Sequence, residues 1–144
     1  MDELDRALAA AQARYEEALR AEVDDKIRAQ DAMAWFDRWA NEVGTPTLTR
    51  MSDRLIRAGH TAVVSTTLSP SGEVVTELIL TFTQQNGPGT CKIDFRRGND
   101  KSVAVLYAVN GTQGNGGRVD PPDPPTVDRC AQAYIIQALN GPNW

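Results

Sequence analysis

Chemistry in this chain would have to come from very few side chains, because its 144 residues include one His and two Cys. His60 follows Gly59 at the entrance to a strand-like run, and a general base there needs an orienting carboxylate or a nucleophile that no local pattern supplies. It reads as a capping or surface histidine. Cys91 falls on the core-facing side of its strand, whereas a reactive thiolate wants exposure and a positive neighbour. Cys91 and Cys130 therefore read as two reduced, packed thiols. Asp94 lies between Lys92 and Arg96 on one strand face, the spacing of cross-strand ion pairing. The acidic pairs Glu16-Glu17 and Asp24-Asp25 are adjacent on a helix, so their side chains diverge by about 100° and cannot converge on a metal or substrate. Gly114-Asn115-Gly116-Gly117-Arg118 lacks the Gly-Lys-Ser/Thr ending of a phosphate loop and no helix follows it directly, so it reads as a linker. No catalytic residue, metal or cofactor is assigned, and an enzyme is the least supported class.

The basic residues carry more information. Arg50, Arg54 and Arg57 recur at i, i+4 and i+7 on one helix face, while Arg96, Arg97 and Lys101 flank the third hairpin turn. They form either one patch for phosphate or an acidic protein surface, or two solvated clusters partly paired with Asp53, Asp94 and Asp100. The whole chain is acidic, with 15 Lys and Arg against 19 Asp and Glu and a net charge of -4. Residues 1–42 hold 11 of the acids and 6 of the bases, a net of -5, which leaves the remainder at +1. That balance excludes broad, non-specific binding to nucleic acid, which needs a clustered excess of cations.

From Asp2 to Val43 there is no Gly or Pro, and Ala, Leu, Glu, Arg and Gln dominate. The pattern predicts an acidic helical arm over residues 1–44, capped by Asp2 and stopped by Gly44 and Pro46. A helix of about 42 residues would run about 60 Å, against a radius of gyration of roughly 14 to 15 Å for a compact chain this long. It must protrude or break. Leu4, Leu8, Ala11, Tyr15, Leu19, Val23 and Ile27 make one apolar stripe; after a slip in phase it resumes as Ala32, Trp35, Phe36, Trp39 and Val43. The steps run nearer four than 3.5, which disfavours a strict left-handed heptad coil. One long helix pairing with a partner, a coiled coil, or a hairpin bent near Asp24-Asp25-Lys26 are the alternatives. Trp35, Phe36 and Trp39 either cover the core or anchor a partner protein.

Residues 45–144 read as an α+β body. A short helix carrying Leu48, Met51, Leu55 and Ala58 ends at Gly59. Four strand-like runs follow, about 61 to 68, 73 to 83, 90 to 97 and 102 to 109, joined by short turn-rich connectors that favour an antiparallel meander. Alternation assigns Val64, Leu68, Val74, Leu78, Leu80, Phe82, Cys91, Ile93, Phe95, Val103, Val105, Tyr107 and Val109 to the core face. The opposite face is mixed, and Val63, Val75, Ile79 and Leu106 on it call for a cover, either the long helix or a second chain. Residues 110–125, with four Gly and four Pro, are predicted to be an extended loop. Asp123 as N-cap and Pro124 at the first helical position then open a last helix that buries Val127, Cys130, Ala131, Tyr134, Ile135 and Ala138, closed by Asn140-Gly141-Pro142.

The expected fold is α+β: a long N-terminal helix, a short helix, a four-stranded antiparallel meander and a C-terminal helix packed on the sheet. The expected function is non-enzymatic protein binding by a small cytoplasmic regulator, inhibitor or adaptor that self-associates, with Trp35, Phe36, Trp39, Val63, Val75, Ile79 and Leu106 as its partner-binding residues. No membrane partner is expected, since no apolar run approaches the roughly 20 residues of a span. One alternative is a nucleic-acid-binding accessory protein acting through the two basic clusters. Another is a chaperone-like binder of secreted proteins: small size, low pI and α+β character are similar to those of type III secretion chaperones. That likeness is compositional and covers no motif, and the uninterrupted order of strands departs from theirs.

Overall fold

The computed structural model describes residues 2–99 and 101–141. The chain divides into two units, residues 1–31 and 32–144. In the first, residues 2–31 are helical from Glu3 onward, with every side chain exposed. The helix α1 spans Glu3–Trp39 without a break, so no hairpin turn falls at Asp24-Asp25-Lys26. Asp2 caps it as expected, accepting from the Asp5 N–H at 2.8 Å.

The second unit begins with the last two turns of α1, where Ala32, Phe36 and Trp39 are buried. Gly44 and Pro46 do not stop the helix here. Residues Ala40–Gly44 widen into a π-helical turn, in which the Thr45 N–H reaches the Ala40 carbonyl, and α2 (Thr45–Arg57) follows at once. Pro46 falls in the first turn of α2, where a residue without an N–H is tolerated. The Thr47 hydroxyl donates to the Val43 carbonyl at 2.7 Å, which satisfies an acceptor beside the proline. Gly44 serves close packing: a Cβ there would strike the Leu78 side chain and lie 3.1 Å from the Trp39 ring. Helix α2 ends as the sequence indicates, with Gly59 N–H bonding Ile56 O and His60 N–H bonding Leu55 O in a Schellman arrangement.

The sheet has five strands in the order β1-β2-β3-β4-β5, all antiparallel: β1 (Thr61–Leu68), β2 (Val75–Thr83), β3 (Thr90–Arg97), β4 (Val103–Val109) and β5 (Thr112–Val119). The fifth strand replaces the expected loop. Asn110 and Gly111 have φ of 51° and 85°, a two-residue turn whose twist matches a hairpin. The strand itself, Thr-Gln-Gly-Asn-Gly-Gly-Arg-Val, has one apolar residue and no alternation to betray it. Aromatic rings fill the space its missing side chains leave: Tyr107 lies over Gly114 and Tyr134 over Gly116, and the two rings stack at 4.7 Å.

A second departure concerns register. Thr67 pairs with Glu77 but Leu68 pairs with Val75, so Thr76 bulges out and the alternation of β2 is reset. Val75 is thereby buried in the core and not on the open face. Helix α3 (Pro124–Asn140) opens with the Asp123 side chain accepting from the Thr126 N–H, and its buried face is Val127, Ala131, Ile135 and Ala138. Pro142, part of the expected stop, lies outside the described residues. All three helices contribute to one core on one side of the sheet, around Phe36, Leu48, Leu78, Leu80, Phe82, Ile93, Phe95, Val103, Val105 and Val127. The α+β architecture with a long N-terminal helix and a C-terminal helix therefore holds, with five strands in place of four.

Candidate interaction surfaces

The first candidate surface is the stripe on α1. Leu4, Leu8, Tyr15, Leu19, Val23 and Ile27 are 43 to 65% exposed, an apolar row along a stretch of 24 residues. The continuation of that helix behaves oppositely. Phe36 and Trp39 sit in the core 5.5 Å apart, Trp39 faces Phe95 at 6.2 Å, and its indole donates to the Pro122 carbonyl at 2.7 Å. Trp35 is half-buried against the same cluster. These three rings, with Val75, are internal packing of the chain and not a free aromatic anchor.

The open face of the sheet carries the rest of the predicted partner residues. Its rows run Val63, Thr81, Lys92, Ala108, Gln113; then Ser65, Ile79, Asp94, Leu106, Asn115; then Thr67, Glu77, Arg96, Ala104, Arg118. Val63 is exposed, Ile79 and Leu106 half-buried. At the centre Asp94 is only 6% exposed. Its Oδ2 accepts from Arg96 Nε at 3.0 Å and Nη2 at 2.9 Å, while Arg96 also approaches Glu77 at 3.5 Å. The bond to Asp94 pushes the Arg96 guanidinium above its ordinary range. Asp94 Oδ1 is buried without a hydrogen-bond partner. A shallow depression of about 450 Å³ lies beside it, lined in part by Lys92, Gln113 and Asn115.

The structure sets Arg96 apart from the arginines of α2. Arg96 points to the open face, whereas α2, which bears Arg50, Arg54 and Arg57, packs on the core side. Arg97 and Arg96 both line a small cavity of about 240 Å³ with Met33 and Phe36. Lys101 is exposed, and Asp100 lies outside the described residues. Arg50 reaches only the Thr47 hydroxyl, and among the described residues no carboxylate pairs with Arg50, Arg54 or Arg57.

Sequence reasoning missed a third surface. Between α2 and α3 runs an apolar groove of about 170 Å³ with Met51, Leu55 and Ile135 along its floor and Ile136, Leu139, Gln132 and Arg54 at its rim. Ile136 and Leu139 remain 52% and 40% exposed. Their signal was present as a second apolar row on α3, one position beside the buried row.

The groups with reactive chemistry are packed. The Cys91 thiol is pushed up to about 12, chiefly by burial and then by Cys130 beside it, and burial also raises Cys130. His60 Nδ1 accepts from the Gln85 N–H at 3.1 Å, and its ring meets Phe82 edge-on at 5.5 Å. Among the described residues no three His, Cys, Asp or Glu are grouped to hold a metal ion, and no helix is long and apolar enough to cross a membrane. No family model matches the chain, and no curated protein or solved structure is significantly similar to it.

Proposed function

We propose that the protein is a non-enzymatic protein-binding module, a small regulator, inhibitor or adaptor, that self-associates through the apolar face of α1. The observation that supports this reading is the row of six large apolar side chains left exposed between Leu4 and Ile27. Burying such a side chain is worth about 1.5 to 3 kcal/mol, so an uncovered row of this length marks an interaction surface. The packed state of Cys91 and His60 favours binding over catalysis.

Sedimentation velocity of the full chain at tens of micromolar is the test. The wild type is expected to sediment as a dimer or larger, and the Leu8→Glu, Leu19→Glu double variant as a folded monomer. A wild type that stays monomeric at that concentration overturns self-association through α1.

A further inference from the structure

We infer that the outer edge of β1 is a separate contact between copies of this chain, in which residues 64–68 of two molecules pair antiparallel across a two-fold axis at Thr66. It does not depend on what the α1 stripe binds.

Hydrogen-bond parity shows which groups of β1 are free. In an antiparallel pair, opposed residues alternate between those that exchange both backbone bonds and those that exchange none. The Ser69 N–H bonds the Val74 carbonyl, the Gln84 N–H the Gly89 carbonyl and the Asn110 N–H the Thr90 carbonyl, each at 2.8 or 2.9 Å. Counted from these through the registers, Thr61, Val63, Ser65 and Thr67 bond to β2, so Ala62, Val64, Thr66 and Leu68 turn their N–H and C=O away from the sheet. The Ala62 carbonyl agrees, since it accepts from the Ser52 hydroxyl of α2 at 3.2 Å in a buried position. Helix α2 therefore covers the start of the edge and leaves residues 64–68, all exposed except the half-buried Val64. Among the described residues, the outward groups of Val64, Thr66 and Leu68 meet no partner.

This stretch lacks the usual guards. Edge strands are blunted by charge, proline, bulges or a cover, because an open row of donors and acceptors templates another strand. Strand β1, Thr-Ala-Val-Val-Ser-Thr-Thr-Leu, has eight residues without charge, Gly or Pro, and the bulge beside it lies on β2. The opposite edge is guarded: β5 skips Gly116 in its register, contains three glycines and bears Arg118.

The occupant of such an edge is an extended strand, and β1 of a second copy fits it by symmetry. An axis at Thr66 opposes the two Thr66 and sets Val64 against Leu68, which uses every free group. Moving the axis one residue toward the N-terminus would bring in the Ala62 carbonyl, already taken by Ser52. Opposite Ala62 the second copy has Pro70 in its turn, so the incoming strand ends where the cover of α2 begins. On the core side the pairing lays Val64 over Leu68, which is 51% exposed in the single chain. On the open side it opposes Ser65 and Thr67, a hydroxyl pair of the kind that stabilises antiparallel sheets. No like charges meet. Five residues a side fall short of the roughly 20 to 30 of a stable interface, so the contact is weak by itself and forms at about 1 mM.

The test uses the full chain carrying Leu8→Glu and Leu19→Glu, which disables the α1 face throughout, and follows it by NMR from about 50 µM to about 2 mM. Diffusion is expected to report an apparent mass rising toward twice the monomer's, with concentration-dependent amide shifts confined to β1 and strongest at Val64, Thr66 and Leu68. Thr66→Lys in that chain should abolish the rise, because two ammonium groups would meet at the axis, and Thr66→Glu should abolish it likewise. An equimolar mixture of the two should restore it as a heterodimer. Thr66 is exposed, so both variants should unfold at the parent's urea midpoint. A parent still monomeric at the highest concentration, or a lysine variant that associates as the parent does, overturns the inference. So does a parent whose edge amides shift only when an unrelated extended peptide is added, which assigns the edge to a foreign strand.

Discussion

The ion pair on the open sheet face should respond unequally to loss of its two members. Asp94 is buried, uses one oxygen to accept two bonds from Arg96, and leaves Oδ1 without a partner. Removing the arginine alone, by Arg96→Met with its aliphatic stem kept, strands a carboxylate in a desolvated position. Hydrogen bonds to charged groups contribute about 1.5 to 3 kcal/mol each when buried. The Arg96 side chain is 46% exposed, so solvent screening reduces the loss to about 1 to 2 kcal/mol for the pair. Removing the acid instead, by Asp94→Val, eliminates the half-satisfied carboxylate. It also puts an apolar side chain between Ile79 and Leu106, its partners on the neighbouring strands. Each such cross-strand contact adds roughly 0.2 to 1 kcal/mol, which offsets the lost pair and leaves Asp94→Val within about 0.5 kcal/mol of wild type. Urea unfolding followed by tryptophan fluorescence measures this directly. With a slope near 2 kcal/mol per molar, Arg96→Met should lower the midpoint by about 0.5 to 1 M, and the double variant should regain most of that. If Asp94→Val proves the more damaging substitution, the account of Asp94 as a poorly satisfied buried charge is wrong.

Four other outcomes follow from packing and protonation. Gly44→Ala should destabilise by about 1 to 3 kcal/mol, because the added methyl meets Leu78 and the Trp39 ring where α2 lies on the sheet; calorimetry of the variant checks this. Cys91 should react with iodoacetamide at pH 8 about a thousandfold more slowly in the folded protein than in urea, since its ordinary value of 9.0 rises to about 12; equal rates would show the thiol to be accessible. The same shift makes the unfolded chain lose this proton first as pH rises past 9.0, so stability should fall from there toward pH 12, and Cys91→Ala should flatten that decline. The bond from Thr126 holds the Asp123 carboxyl below its ordinary 3.8, so its contribution is fully present above 3.8 and is lost as pH falls from there through the lowered value. Asp123→Ala should therefore be less stable than wild type at pH 7 and converge with it at acid pH, as paired urea titrations would reveal.

Local rules carried much of the architecture. A run of strong helix formers without Gly or Pro produced α1, the Asp123-Pro124 pair produced the start of α3, and alternation with turn residues placed the first four strands within two residues of their observed bounds. The stripe on α1 was legible too, because a repeat near four residues is a property of the sequence itself. What the sequence could not decide was what each apolar face meets. Trp39 and Leu19 lie on the same helix with the same kind of spacing, yet Trp39 packs on Phe95 in the core and Leu19 is uncovered. Val75 moved inside because one residue, Thr76, bulged, a register choice fixed by pairing with β1. Pro46 failed to end a helix because it falls in the first turn of α2, where its missing N–H is tolerated, and the following Leu48 and Met51 are held in the core. Strand β5 exists because Tyr107 and Tyr134, distant in sequence, supply the bulk its glycines lack. In each case local propensity proposes a segment's conformation, and non-local burial, worth more per residue than propensity, selects the outcome.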